Sequence, residues 1–407
     1  MRRRDHLLLF LMTLGMSHSC IEEIDISNKD FENALVVDAT ITDVEGIQEV
    51  RLSRTYPFEA DGPTLEAGAT VSVMANDFSY PFTEASPGRY VSNTPFAAIP
   101  GLEYQLIIST AEGRSYRSNV AQLSGSSEIE RVYAIRETND NGVNGMSMYV
   151  DSFDPDGNAK FYQYEYEETF RVEPPYFVNL DLANVPQTEP SNCPECEVEL
   201  VPRSEDKRIC YRTETSRNTL LGTTVGFTED RISRFLVRFV KSDDYRISHR
   251  YSILVRQLVL SEEVYNYKRI LNSFSEQGSL FSQVQPGVTM GNILSETSSN
   301  EMVVGYFAVA SVATKRLFFN YDDFYPNEPL PPYLNECIPR PPFQCVRQSF
   351  SRFECGGLIK GIRANTIVYK GMNTNQSVPG GPYLVMDREC GDCTALGSSE
   401  PPDFWIE

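Results

Sequence analysis

Leu35-Val36-Val37-Asp38-Ala39-Thr40-Ile41 opens the stretch that decides the fold. It is rich in β-branched residues and ends in a turn around Asp43 and Gly46. Val50-Arg51-Leu52-Ser53 and Ala69-Thr70-Val71-Ser72-Val73 then alternate with a period of two, as strands with one buried face do. Pro87-Gly88-Arg89-Tyr90 and Ile99-Pro100-Gly101 are turns that lead into further strands. Tyr104, Leu106 and Ile108 alternate with Gln105 and Ile107, and Glu112-Gly113 turns the chain into Ser115-Tyr116-Arg117-Ser118. About six or seven short strands at this spacing predict an N-terminal antiparallel β-sandwich of immunoglobulin or transthyretin type over residues 34–125.

A larger β-rich unit with one clear helix is expected over residues 126–407. Tyr162, Tyr164 and Tyr166 share one strand face, opposite Gln163, Glu165 and Glu167. Such a stripe reads as a buried sheet core, with stacking on sugar rings as the alternative. Residues 172–209 are polar, irregular and proline-bearing, and read as an insertion. Strands resume at Phe235–Val240 and Tyr251–Val255. In the helix that follows, Ser261 caps the start, Glu262 and Glu263 favour its positive end, and Leu260 staples onto Tyr265. Val264, Tyr267, Leu271 and Phe274 supply its buried stripe, and Gly278 stops it. Asn320 to Pro342 holds seven prolines without periodicity. It predicts a long loop pinned by Cys337, Cys345 and Cys355. The only tryptophan, Trp405, is expected to pack.

The first 33 residues carry an address. Arg2, Arg3 and Arg4 precede a short apolar run, Leu7 to Leu14, too short to span a bilayer as a permanent helix. Ser17-His18-Ser19-Cys20 then places small residues before a cysteine. Residues 1–19 read as a signal peptide, with cleavage leaving Cys20 as a lipidated N-terminus and residues 20–33 as an acidic tether. Glu22, Glu23 and Asp25 resemble the export tag that takes lipoproteins of Bacteroidetes to the outer face of the outer membrane. The expected location is the outer membrane, lipid-anchored and facing the exterior.

Composition narrows the chemistry. Loss of Arg2, Arg3, Arg4 and Asp5 with the leader moves the net charge from −20 to −22. That surface repels nucleic acid and anionic lipid. His6 and His18 leave as well, so His249 is the one histidine of the mature chain. No nucleophile motif flanks it, so hydrolases that use a histidine base and zinc sites with several histidines are not expected. Neither a cofactor nor a catalytic set is predicted. Asp154-Pro155-Asp156-Gly157-Asn158 spaces oxygens as calcium loops do, but a strand follows it, so it reads as an Asp-Gly turn. Eight cysteines remain after Cys20, all beyond residue 190: Cys193, Cys196, Cys210, Cys337, Cys345, Cys355, Cys390 and Cys393. An even count in an oxidising compartment predicts disulfides. Two C-x-x-C pairs, Cys193/Cys196 and Cys390/Cys393, keep zinc and redox readings as alternatives. Spacing does not give the connectivity.

The chain resembles the Bacteroidetes lipoproteins of domain-of-unknown-function family 4249 over almost its whole mature length. The resemblance rests on Leu35 to Thr42, Pro87-Gly88-Arg89-Tyr90, Pro100-Gly101-Leu102-Glu103-Tyr104 and Leu260-Ser261-Glu262-Glu263. It continues through Gly278-Ser279-Leu280-Phe281, Gly291-Asn292-Ile293 and Gly305-Tyr306-Phe307 to Cys390-Gly391-Asp392-Cys393 and Pro402-Asp403-Phe404-Trp405. It implies an outer-membrane lipoprotein without known catalytic residues, commonly encoded beside a TonB-dependent receptor. The leading expectation is a non-catalytic accessory partner of such a receptor or another outer-membrane barrel, with the proline-rich loop and residues 172–209 as its contact surface. Capture of a ligand or glycan at the surface is the alternative. A carboxylate-pair glycosidase would require its acids in a deep cleft.

Overall fold

The computed structural model describes residues 33–56, 60–185, 196–204, 206–276, 291–349, 353–375, 377 and 379–407. Cys20, Glu22, Glu23, Asp25, Cys193 and Gly278 lie outside the described residues. The protein is mostly β. Its opening run comprises β1 (Leu35–Thr42), β2 (Glu49–Arg54), β3 (Thr70–Ala75), β4 (Phe78–Ser86), β5 (Arg89–Ser92), β6 (Tyr104–Ser109) and β7 (Ser115–Ser118). These strands hydrogen-bond in the order β1-β2-β5-β4-β3-β6-β7. Their inward residues, among them Val37, Ile41, Leu52, Val73, Tyr90, Leu106 and Tyr116, form one core. The first unit is therefore a single sheet rolled around its own apolar face.

The chain continues through β8 (Glu128–Thr138), β9 (Asn144–Phe153), β10 (Phe161–Val172), a hairpin of β11 (Leu180–Ala183) and β12 (Glu199–Pro202), β13 (Cys210–Thr215), β14 (Leu220–Thr223), β15 (Arg231–Lys241) and β16 (Arg250–Leu260). β8, β9 and β15 make a three-stranded sheet. Between it and the sheet of β10 and β16 lies a second core that includes Met148, Val150, Tyr162, Tyr164, Phe170, Val237 and Tyr251. Tyr162 and Tyr164 have no exposed surface, so the tyrosine stripe is core.

Helix α1 (Glu262–Glu276) leads to β17 (Ile293–Ser295) and the long β18 (Val303–Asn320). β18 pairs antiparallel with β16 and parallel with β1, from Leu35↔Val303 to Thr42↔Ala310. One strand thus joins both units into one 13-stranded sheet. β17 adds to the edge of β7. Asn292, just before it, donates from Nδ2 to the Phe307 carbonyl and accepts from the Phe307 amide, each at 2.8 Å, closing the roll against β18. The first core accordingly includes Ile293, Val303, Phe307 and Val309. The strand run within 34–125 does not finish its own core, and its pairing with β18 is parallel where an antiparallel sandwich was expected.

Buried charges fix both halves. Glu301 accepts hydrogen bonds from Tyr116 Oη (2.6 Å), Arg114 Nη1 (3.0 Å) and Ser295 Oγ (2.8 Å). Burial, helped by Glu301, pushes the Tyr116 phenol up to about 12. In the second core, Glu168 takes a two-pronged contact from Arg238 at 3.0 and 2.9 Å and a third bond from Tyr251 Oη.

We expect Arg238→Met to destabilise the protein by about 3 kcal/mol, because it strands the buried Glu168 carboxylate. The Arg238→Met/Glu168→Leu double variant should recover much of that loss in urea denaturation. A single variant as stable as the parent would contradict this account.

Candidate functional site

Two places concentrate chemistry. The first is the far end of β18, where the chain passes through α2 (Tyr321–Phe324) into the proline-rich loop. Beyond it come β19 (Cys345–Arg347), β20 (Phe353–Cys355), α3 (Gly357–Arg363), β21 (Ile367–Met372) and β22 (Tyr383–Asp387). The apolar clusters here are small, one around Leu358, Ile359 and Val385 and another around Val368 and Met386. Covalent bonds and polar ties supplement them. Cys210 bridges to Cys393 and Cys337 to Cys390, so the short tail segment is bound both to β13 and to the proline-rich loop. Cys345 is also disulfide-bonded. Cys196 and Cys355 are buried with their sulfurs 3.1 Å apart. Cys390 and Cys393 go to different partners, so this C-x-x-C spans no internal redox bond and has no thiolate left for zinc.

Hydrogen bonds hold the loop as well. Tyr333 Oη donates to the Glu389 carbonyl (2.7 Å), Asn335 Nδ2 to Glu389 Oε1 (2.8 Å), and Arg340 exchanges two backbone bonds with Val385. Asp392, between the paired cysteines, is buried. Burial works to raise its carboxyl, but hydrogen bonds from Thr394 and Arg388 hold it below the usual range. Trp405 packs edge-on against Tyr211 and Phe318.

The second place is a cleft on the outer face of the sheet, over the β1–β18 seam and beneath α1. Ser261 supports the helix start through its Oγ and its carbonyl, and Leu260, Val264 and Tyr265 share a cluster with Ala308 and Ala310. Gly305 fixes the height of the helix. Its φ is +116°, and a Cβ there would meet the Val37 carbonyl oxygen at 1.9 Å, so no side chain fits. Its amide donates instead to Tyr267 Oη at 2.8 Å. Asn272 Nδ2 donates to the Thr219 carbonyl at 2.7 Å and ties the far side of the helix to the 216–219 loop.

Between these two ties lies a chamber of about 230 Å³ lined by Val36, Asp38, Tyr267, Lys268, Leu271, Val304, Tyr306 and Ala308. A wider, more polar chamber of about 710 Å³ adjoins it, bounded by Glu49, Arg51, Gln163, Glu165, Glu167, Arg217 and Arg256; Asp38, Thr40 and Thr219 line both. Leu271, expected within the buried stripe of α1, is 38% exposed because the cleft opens beneath it. Glu49 and Glu167 are engaged by arginines, Arg51 and Arg89 for the first and Arg316 for the second. Burial raises the Glu49 carboxyl, and the hydrogen bonds from Arg51 and Arg89 more than reverse this.

The remaining candidates are structural. Asp154 accepts from the backbone amides of Asp156, Asn158 and Ala159, which makes its loop a turn closed on its own carboxylate. His249 Nδ1 lies 3.6 Å from Glu173, and burial lowers its basicity. Among the described residues no group of three histidine, cysteine or carboxylate side chains could hold a metal.

The family model described as "Domain of unknown function (DUF4249)" matches residues 21–316, and the chain belongs to that family. The match ends inside β18, so the closing Cys390-Gly391-Asp392-Cys393 and Pro402-Asp403-Phe404-Trp405 segments that contributed to the resemblance lie beyond it. No curated protein matches the chain.

Two outcomes are expected here. Tyr267→Phe removes the acceptor of a buried amide and should cost about 1–3 kcal/mol. Faster hydrogen exchange at Gly305 would accompany it, and unchanged protection would refute the tie. Reduction should make residues 172–209 and 320–360 protease-sensitive before 34–123, a stretch without cysteine. Thiol titration of denatured, unreduced protein should find at most two reactive cysteines, Cys196 and Cys355, whose sulfurs lie beyond disulfide length; four or more thiols with stoichiometric zinc would reverse the assignment.

Proposed function

We propose that this DUF4249 protein is a non-catalytic lipoprotein of the outer membrane, facing the exterior, that serves a TonB-dependent receptor or another outer-membrane barrel as an accessory partner. The observation that carries the reading is the layout along β18. Leu35, just after the tether from Cys20, lies level with Val303, and the pinned proline-rich loop follows Asn320 at the other end. Eighteen residues separate these ends, about 60 Å at the usual strand rise. The loop and the start of the segment after it hold Leu330, Leu334, Ile338, Phe343 and Val346 at 40–64% exposure. Isolated exposed apolar residues are ordinary, but five on one pinned segment suit the core of a contact surface. A second reading, capture of a ligand at the surface, draws support from the cleft beneath α1.

Cys20→Ala should release the protein from the membrane fraction. Neutralising Glu22, Glu23 and Asp25 together should leave it membrane-bound yet protected from external protease. Ile338→Asp with Phe343→Asp should abolish co-purification of a barrel in mild detergent while changing stability by no more than about 0.5 kcal/mol per site. Retained capture of the barrel by that variant would remove the loop from the interface.

A further inference from the structure

The smaller chamber of the cleft holds two opposite charges that form no ion pair among the described residues. Lys268 stands half-buried on α1, and among the described residues its ammonium has neither a hydrogen bond nor an ion pair. The Asp38 carboxylate on β1 is exposed and lies opposite Arg51 on β2; it too lines this chamber and forms no ion pair among the described residues. They do not pair with each other, yet the Asp38 charge still reaches Lys268 and favours its protonated form. Burial acts against that form and dominates, so the lysine is less basic than usual. A desolvated ammonium without a direct ion pair is costly; only the charges of Asp38 and Glu165 reach it, while the neighbouring Glu49 and Glu167 have their arginines. The rest of the chamber is largely apolar, with Val36, Val304 and Leu271 on its walls beside Thr40, Thr219 and Asn272.

We propose that this chamber binds a small zwitterion bearing an apolar group, the chemistry of a free amino acid or a short peptide. The ligand carboxylate meets Lys268, its ammonium meets Asp38, and its apolar group lies against Val36, Val304 and Leu271. Opposite unpaired charges in one largely apolar chamber select for this class. A plain carboxylate would face Asp38 as a like charge, and a plain amine would face Lys268. A neutral sugar would leave the Lys268 ammonium desolvated and unmatched. The polar chamber sharing Asp38, Thr40 and Thr219 gives a peptide room to continue. The inference deepens the capture reading and rests on it, and is independent of the accessory role.

Calorimetric titration of the whole chain tests it, using L-leucine, leucylglycine, isocaproate (no ammonium) and isoamylamine (no carboxylate). We expect saturable binding of leucine or leucylglycine in the millimolar range or tighter, with the better of the two identifying amino acid or peptide as the source. Lys268→Met and Asp38→Asn should each weaken it about tenfold or more, the loss expected for a hydrogen bond to a charged group. Val304→Trp should abolish it by filling the chamber, which keeps the test valid if a charge variant fails to fold; thermal melts report folding for all three. Isocaproate or isoamylamine binding as tightly as the zwitterions would overturn the ligand class while leaving capture in place. No binding by any of the four compounds would overturn both.

Discussion

The parallel ladder between β1 and β18 is the constraint on which the rest of this protein depends. β18 sends Val303, Phe307 and Val309 into the first core and Phe319 into the second. On its other face Ala308 and Ala310 lie under α1. The same ladder closes the rolled sheet, supports β17 and Glu301 against β7, and forms the floor of the cleft. The first core thus remains incomplete until the chain has been extended to about residue 310. Such non-local closure carries an entropic cost and slows folding, which makes the strong packing along the seam a requirement of the topology.

The two ends of the molecule are stabilised by different physics. Near β1 the interior is a broad apolar core without cysteine, and polar ties such as that of Glu301 to Tyr116 add to it. Around the proline-rich loop the apolar clusters are small, and disulfides with backbone ties to the tail hold the chain. A segment that buries little apolar surface needs such staples to remain ordered. The family match covers the cleft, the first core and most of the second, but stops before the proline-rich loop begins.

Much of the first unit was legible in the sequence because its strands have one wet face and alternate cleanly. β18 was not. Its stretch from Val303 to Ala310 is flanked by paired strands and has buried residues on both faces, so it reads as a run of apolar residues without a period. Its partner β1 lies far away in sequence, and no local signal announces a parallel pairing. The buried tyrosines, the helix cap and the packed Trp405 followed from ordinary local rules. Leu271 did not, because helical periodicity assigns it to a buried stripe and takes no account of a helix held off the sheet by Tyr267 and Gly305. Lys268 and Asp38 gave no sequence signal either; only their position without partners in one chamber sets them apart. Cysteine number pointed to disulfides, while the pairing depended on how β13, the loop and the tail meet.

The direction of β18 also has a mechanical consequence. β1 begins at the end where the chain arrives from its N-terminal segment, and β18 runs alongside it and leaves at the opposite end. Tension applied between residue 34 and the stapled loop therefore acts along the two strands, not across them. In that geometry the hydrogen bonds of the ladder share the load in shear and must yield together, whereas peeling would break them one at a time. A protein tugged at both ends would feel the pull first at this seam, and the rolled sheet and the cleft would hold their shape until it gave way.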